Sequence, residues 1–160
     1  MMRPFGALGA AALTLVVMFA GAMLIFAGAG APFAGAATQA PEITVYKSPS
    51  CGCCEGWIGH RRENGFRVRS KNREDMGAIK SRNGVPAALQ SYHTAVVGGY
   101  VVEGHVPADV IQRLLRERPA VAGLAVPGMP VGVPGTSGAR GSYDIVAFDR
   151  QGQSRVYARR

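Results

Sequence analysis

Charged side chains are almost missing from the first 41 residues of this 160-residue chain, where Arg3 is the single one. This asymmetry divides the chain into a targeting segment and a folded part. The folded part has room for one hydrophobic core but hardly for two, which excludes large enzymes and multidomain regulators. The sequence therefore predicts one small domain behind an N-terminal leader.

The leader is predicted to comprise residues 1–37. Residues 5–31 form an uncharged and largely apolar run. The segment Ala34-Gly35-Ala36-Ala37 supplies the small residues that signal peptidase requires, which predicts cleavage after Ala36 or Ala37. The run is also long enough to cross a bilayer, so a retained N-terminal membrane anchor is the alternative. Either outcome predicts a periplasmic or otherwise extracytoplasmic domain.

Acidic residues are scarce, with 10 Asp and Glu against 18 Lys and Arg and a formal net charge of +8. The basic residues are spread along the domain instead of clustering with aromatic residues that would stack on bases, which argues against nucleic-acid binding. We interpret the charge as a solvated surface, and we expect membrane contact only through the N-terminal segment.

Hydrophobic periodicity and turn residues predict an α/β domain over residues 42–118. Strands are predicted at residues 43–46, 66–70, 93–97 and 100–105, and helices at 54–64, 72–82 and 107–118. Gly98-Gly99 is a two-residue hairpin turn that sets Val97 opposite Tyr100. The resulting order, β-α-β-α-β-β-α, is that of a thioredoxin-like domain, and a ferredoxin-like arrangement is the main alternative.

The last 42 residues are expected to add to this domain. Residues 119–141 are rich in proline and glycine and predict a loop packed on the domain. Residues 142–160 contain two alternating runs around Arg150-Gln151-Gly152-Gln153, which predicts a C-terminal β-hairpin. The sequence leaves open whether this hairpin is an interaction surface or a structural extension.

Cysteine is also scarce, and all 3 cysteines lie in the segment Cys51-Gly52-Cys53-Cys54. An odd, clustered set outside the cytoplasm must pair with another molecule, hold a metal or be kept reduced. Cys51 and Cys54 have the spacing of redox-active pairs, and a helix N-terminus would favour their thiolates. This interpretation leaves Cys53 unused.

Metal binding accounts for all three cysteines. Three thiolates on one turn suit Cu(I), or Zn(II) if a fourth ligand completes a tetrahedron. His60 lies roughly 10 Å from Cys53 along a helix and cannot join the same ion. The predicted hairpin register places His93 and His105 on opposite faces of the sheet, so at most one faces the cysteines. Met129, a thioether on a loop, is a further candidate ligand.

The chain resembles the CopG-type family of extracytoplasmic, copper-resistance-associated metal-binding proteins. The resemblance covers residues 43–135. Its motifs are Cys51-Gly52-Cys53-Cys54 with Trp57 and His60, then Gly84-Val85-Pro86, His93-Thr94, Gly99-Tyr100, Glu103-Gly104-His105-Val106-Pro107 and Pro127-Gly128-Met129-Pro130.

This resemblance implies a thioredoxin-like fold, a periplasmic location, copper binding through the cysteine cluster and a role in copper resistance. Two positions depart from the family pattern. Tyr92 stands where members usually have cysteine, and Gly135-Thr136 stands where they usually have a second methionine. A phenol and a hydroxyl are poor ligands for Cu(I), so we expect fewer ions, weaker binding or another metal.

We therefore expect an extracytoplasmic protein that binds copper, as Cu(I), through Cys51, Cys53 and Cys54, with His105 and Met129 as further ligands. It would sequester the ion or exchange it with a copper-delivering or copper-accepting protein. The alternative is an enzyme, a thiol-disulfide or copper oxidoreductase in which Cys51 attacks and Cys54 resolves.

Overall fold

A mixed sheet of seven strands carries the fold in this computed structural model, which describes residues 39–160. The predicted leader, residues 1–37, lies outside the described residues. The elements, in chain order, are β1 (Glu42–Lys47), α1 (Gly52–Glu63), β2 (Arg67–Asn72), α2 (Met76–Arg82), a 3₁₀ turn (Ala87–Leu89), β3 (His93–Val97), β4 (Tyr100–Glu103), α3 (Ala108–Glu117), β5 (Gly123–Ala125), β6 (Asp144–Phe148) and β7 (Ser154–Arg159).

The strands are ordered β2-β1-β3-β4-β5-β6-β7 across the sheet. β1 pairs in parallel with β2, and β4 pairs in parallel with β5, whereas the other neighbours are antiparallel. Three helices accompany this sheet, so the predicted α/β class is confirmed. Val97 lies opposite Tyr100 at the Gly98-Gly99 turn, as the hairpin signal predicts.

Apolar side chains cover both faces of the sheet because successive residues of a strand point to opposite sides. Val102 belongs to the larger cluster, which also contains Trp57 from α1 and Leu114 from α3. Its neighbour Val101 belongs to a second cluster with Phe148. The sheet is therefore buried on two sides, and α1 is held against the larger cluster.

The stretch 119–141 is not a loop throughout. Gly123–Ala125 forms the short strand β5, which is fully buried between β4 and β6. Gly123 has no room for a side chain, because an added Cβ would lie 2.3 Å from the carbonyl oxygen of Val101. Close backbone approach thus explains why a glycine-rich segment can enter the sheet.

The C-terminal residues continue the same sheet. β6 and β7 pair antiparallel, with an irregularity between Ile145 and Val146. Ile145 and Phe148 are buried in the two core clusters. These two strands therefore supply part of the core, which identifies a structural role for a hairpin whose purpose the sequence left open.

Exposed cations line both edges of the sheet. On β2 they are Arg67, Arg69 and Lys71, and on β7 they are Arg155 and Arg159. Between residues 39 and 160, no helix is long and apolar enough to cross a bilayer.

Replacing Ile145 by alanine is expected to lower the free energy of unfolding by about 2 to 5 kcal/mol, because the side chain is fully buried and its loss leaves a cavity. Chemical denaturation followed by circular dichroism measures this change. Val156, on the same hairpin, is 48% exposed, and Val156→Ala should change stability by no more than about 0.5 kcal/mol. Equal effects of the two substitutions would contradict the structural role of the hairpin.

Candidate metal centre

The cysteine cluster lies at the N-terminal end of α1, just after the loop that follows β1. The backbone N–H of Cys51 donates to the carbonyl of Ser48, and Cys51 is the N-cap of the helix. α1 begins at Gly52, earlier than the predicted start at Cys54, so Cys53 also belongs to its first turn instead of preceding the helix. Cys51 and Cys53 are half-buried, whereas Cys54 is buried. The helix end therefore presents two of its sulfurs towards solvent.

The three sulfur atoms lie within 4.8 Å of one another. Cys51 and Cys54 are joined by a disulfide, with their Cα atoms 5.3 Å apart, and Cys53 is a free thiol 3.5 Å from the sulfur of Cys51. The described state is therefore the oxidised one. Two more thiolates become available at this turn only when the disulfide is reduced.

A buried aromatic stack connects α1 with the rest of the site. The ring of Trp57 lies 4.4 Å from that of His93, and His93 lies 5.0 Å from His105. All three side chains have no solvent exposure. The indole N–H of Trp57 donates to the carbonyl of Val106 at 3.1 Å, which ties the helix to the chain just after His105.

The prediction that His93 and His105 project from opposite faces is wrong. The β4 strand ends at Glu103, and Gly104 has a φ of +69°, so the alternation of side chains stops before His105. A Cβ at Gly104 would lie 2.6 Å from the hydroxyl of Ser91 and 2.5 Å from the carbonyl oxygen of Val126. The glycine turn therefore brings both imidazoles together.

Both imidazoles retain unused ring nitrogens. Nδ1 of His105 donates to the carbonyl of Pro134 at 2.8 Å, which leaves Nε2 with a free lone pair. Nε2 of His105 and both ring nitrogens of His93 have no hydrogen-bond partner. Within residues 39–160, every buried side-chain nitrogen or oxygen without a partner belongs to these two residues or to Arg61. Native proteins rarely leave such groups unpaired without a functional reason.

Arg61 is a buried cation beside the imidazoles. Its Nη1 donates to the carbonyl of Val106 at 2.8 Å, and its guanidinium lies 4.7 Å over the ring of Trp57. Burial lowers the pKa of Arg61 to about 10, so the group stays charged near neutrality. Its charge disfavours a second positive charge on the neighbouring histidines.

The histidines are neutral at physiological pH. Burial is the main cause that lowers the pKa of His93 well below its usual value, and the charges of His105, Lys80 and Arg61 act in the same direction. Burial also lowers the pKa of His105, against the hydrogen bond to Pro134. Neutral imidazole is the form that coordinates metals.

The remaining predicted residues occupy different positions. Met129 is half-buried and packs against the larger core cluster. His60 lies on α1 with its Nδ1 3.2 Å from the amide of Asn64, away from the cysteine cluster. Tyr92 is 53% exposed, and the hydroxyl of Thr136 donates to the carbonyl of Val133. Neither Tyr92 nor Thr136 supplies a sulfur.

His93 is the candidate ligand that sequence reasoning did not select. Its motif was visible, but the choice between His93 and His105 depended on where β4 ends. The one sequence signal for this end of the strand is Gly104, because glycine readily adopts the positive φ that breaks a strand.

Comparison with known proteins adds three findings. The family model "Protein of unknown function, DUF411" matches residues 89–136. A solved structure named copper resistance protein CopG, form 2, is 47% identical, with a TM-score of 0.71, and the match covers 75% of this chain and 98% of that chain. Form 1 is also 47% identical, with a TM-score of 0.70 over 74% of this chain and 96% of that chain. No curated protein matches the sequence.

The buried histidines predict a loss of stability in mild acid. In the unfolded chain an imidazole takes up its proton near pH 6.5, whereas folded His93 and His105 take it up only at lower pH. Below about pH 6.5 the unfolded state therefore binds more protons, and the free energy of unfolding falls by up to about 1.4 kcal/mol per pH unit for each histidine.

Denaturation of the wild type and of His93→Phe between pH 7 and pH 5 measures this effect. His93→Phe removes the buried titrating ring, and it should flatten the pH dependence by about one proton. The matched control is His60→Gln. The pKa of His60 is also lowered, but His60 is less buried than His93, so His60→Gln should flatten the pH dependence less than His93→Phe does. An unchanged or steeper pH dependence in His93→Phe would contradict the prediction.

Proposed function

The chain belongs to the CopG-type family of copper resistance proteins, and from that premise we propose that it binds copper, as Cu(I), through Cys51, Cys53 and Cys54. It sequesters the ion or passes it to an accepting protein. The observation that carries the proposal is the convergence of three sulfur atoms within 4.8 Å.

The donor set fits Cu(I) by its chemistry. Thiolate and thioether sulfur are soft ligands that favour Cu(I), and Zn(II) is the lesser alternative for a thiolate site. The position of the cysteines at the N-terminus of α1 favours the thiolate form, because the free N–H groups and the helix dipole stabilise negative charge. Binding by all three cysteines requires the Cys51–Cys54 disulfide to be reduced first.

Further ligands are proposed from buried and half-buried groups outside the group of three sulfurs. His105 and Met129 remain candidates, and the unpartnered nitrogens of His93 add a third. The hydrogen bond from Nδ1 of His105 to Pro134 orients the ring and leaves Nε2 for a metal, as carbonyl partners do for many metal-binding histidines. These groups supply one or two nitrogen or sulfur donors beside the thiolates.

Tyr92 and Thr136 distinguish this chain from the family pattern. An exposed phenol and an exposed hydroxyl that is bonded to a backbone carbonyl offer no soft donor. We propose that this chain holds fewer copper ions than members with sulfur at both positions.

A thioredoxin-like topology and an extracytoplasmic location complete the proposal. Strand order β2-β1-β3-β4, with β1 parallel to β2 and antiparallel to β3 and β4 antiparallel to β3, supports the topology, to which β5, β6 and β7 add three strands. The leader in residues 1–37 supports export, by cleavage or with a retained anchor.

A second candidate function is oxidoreduction, favoured by the disulfide between half-buried Cys51 and buried Cys54. The reduced pair can transfer two electrons to a disulfide substrate, or one electron to each of two Cu(II) ions. Both thiols lose their protons as the Cys51–Cys54 bond forms. In this function Cys51 is the exposed nucleophile and Cys54 the resolving thiol.

Replacing the three cysteines by serine should weaken Cu(I) binding by more than about a hundredfold, because loss of an outer-shell group alone costs 10- to 100-fold. Anaerobic titration of the reduced protein against a competing chelator measures the affinity, and Ser48→Ala, beside the cluster, is the control. Stoichiometric Cu(I) retained by the triple variant would refute copper binding through the cluster.

The oxidoreductase alternative makes a separate prediction. Cys53→Ser should leave the reduction potential of the Cys51–Cys54 pair and its turnover on a disulfide or Cu(II) substrate intact, because Cys53 is outside the pair. The same substitution should weaken Cu(I) binding if the cluster stores metal. Lost turnover with unchanged Cu(I) affinity would count against both assignments of Cys53.

A further inference from the structure

A buried ion pair lies next to the candidate ligands without being one of them. Nζ of Lys80, on α2, donates to Oε1 of Glu103, at the end of β4, at 2.5 Å. Their side chains are 7% and 0% exposed. The hydroxyl of Thr94 donates to Oε2 of Glu103 at 2.7 Å and lies 3.2 Å from Nζ of Lys80. The three side chains form a closed polar network inside the protein.

The Glu103 carboxylate also accepts a hydrogen bond from the main chain just before His93. The backbone N–H of Ser91 donates to Oε1 of Glu103 at 2.7 Å. The next residue after Glu103, Gly104, donates its N–H to the carbonyl of His93 at 2.9 Å. Both ends of the segment 91–93 are therefore held by two consecutive residues of the chain.

The same segment reaches the loop that carries Met129. The hydroxyl of Ser91 donates to the carbonyl of Gly128 at 2.6 Å, and Gly128 immediately precedes Met129. Ser91 thus connects the Glu103 carboxylate to both candidate ligands. His93 lies two residues after Ser91, and Met129 follows Gly128, which accepts the Ser91 hydroxyl.

Stability alone does not account for a buried ion pair here. Burying two charges costs several kcal/mol each, and apolar residues of similar volume are often as stabilising or more so. What a fully satisfied polar network adds is a single geometry, because each donor and acceptor fixes the position of the next. In this protein the fixed groups are the backbone segments that present His93, His105 and Met129.

We propose that Glu103, held by Lys80 and Thr94, is a positioning residue that sets the segments bearing His93 and Met129 against the cysteine cluster, with Ser91 as the connecting group. This inference rests on the proposed copper-binding function. It assigns to Glu103 a role through other residues and no contact with the metal.

The first test needs no metal. In the purified protein, Ser91→Ala removes the hydrogen bond to Gly128 and leaves the ion pair intact, so the NMR signal of the Met129 methyl group should shift while that of Met76, on α2, stays in place. Glu103→Gln should also shift the imidazole signals of His93. An unmoved Met129 signal in Ser91→Ala overturns the link through Ser91.

The second test uses Cu(I) titrated against a chelator, together with X-ray absorption of the bound ion. Glu103→Gln is expected to lower the Cu(I) affinity 10- to 100-fold and to reduce nitrogen or thioether scattering while thiolate scattering persists. Ile111→Val, a buried substitution on α3 outside the network, controls for lost stability and should keep the wild-type affinity.

The outcomes separate the two proposals. Wild-type affinity and scattering in both Glu103→Gln and Ser91→Ala overturn the positioning role. An equal loss of affinity in Ile111→Val overturns it as well, because general destabilisation then explains the result. Tight Cu(I) binding by the triple Cys→Ser variant refutes the proposed function instead. The shift of the Met129 methyl signal is measured without metal, so it does not depend on that result. If Glu103→Gln does not fold, Ser91→Ala decides both measurements.

Discussion

The packing of Trp57 against His93 is the constraint on which the site depends. One side of this contact is α1, whose N-terminal end carries the cysteines, and the other is β3, an interior strand of the sheet. The indole N–H closes the contact by binding the carbonyl of Val106. Since the whole arrangement is buried, the helix cannot rotate or slide without losing it, and the sulfurs keep a fixed relation to the imidazoles.

The cysteine turn serves two states that exclude each other. In one state Cys51 and Cys54 are bonded to each other, and in the other all three sulfurs are free to bind a soft ion. Buried polar groups elsewhere in the domain are already ordered in this oxidised state: both imidazoles are buried and neutral, and Glu103 accepts the backbone N–H of Ser91. Reduction therefore changes the sulfurs while these buried groups are already in place.

Local pattern predicted much of the fold and little of the site's geometry. The hairpin at Gly98-Gly99 was accessible because a two-residue glycine turn fixes its own register. β5 was not, since three residues carry no periodic signal and their pairing with β4 and β6 is non-local. The contact between His93 and His105 could not be predicted either. The alternation of side chains applies only within a strand, and the chain turns at Gly104, before His105.

The charged sheet edges bear on how the protein behaves among its own copies. An open sheet ends in strands whose free N–H and C=O groups can recruit further strands. Arg67 and Arg69 pair with Glu42, and Arg159 pairs with Asp144. Edge-to-edge contact between β7 strands would still bring the exposed Arg155 of two molecules together, and contact between β2 strands would do the same with Lys71. Charged edge strands can thus keep a large open sheet dispersed among its own copies.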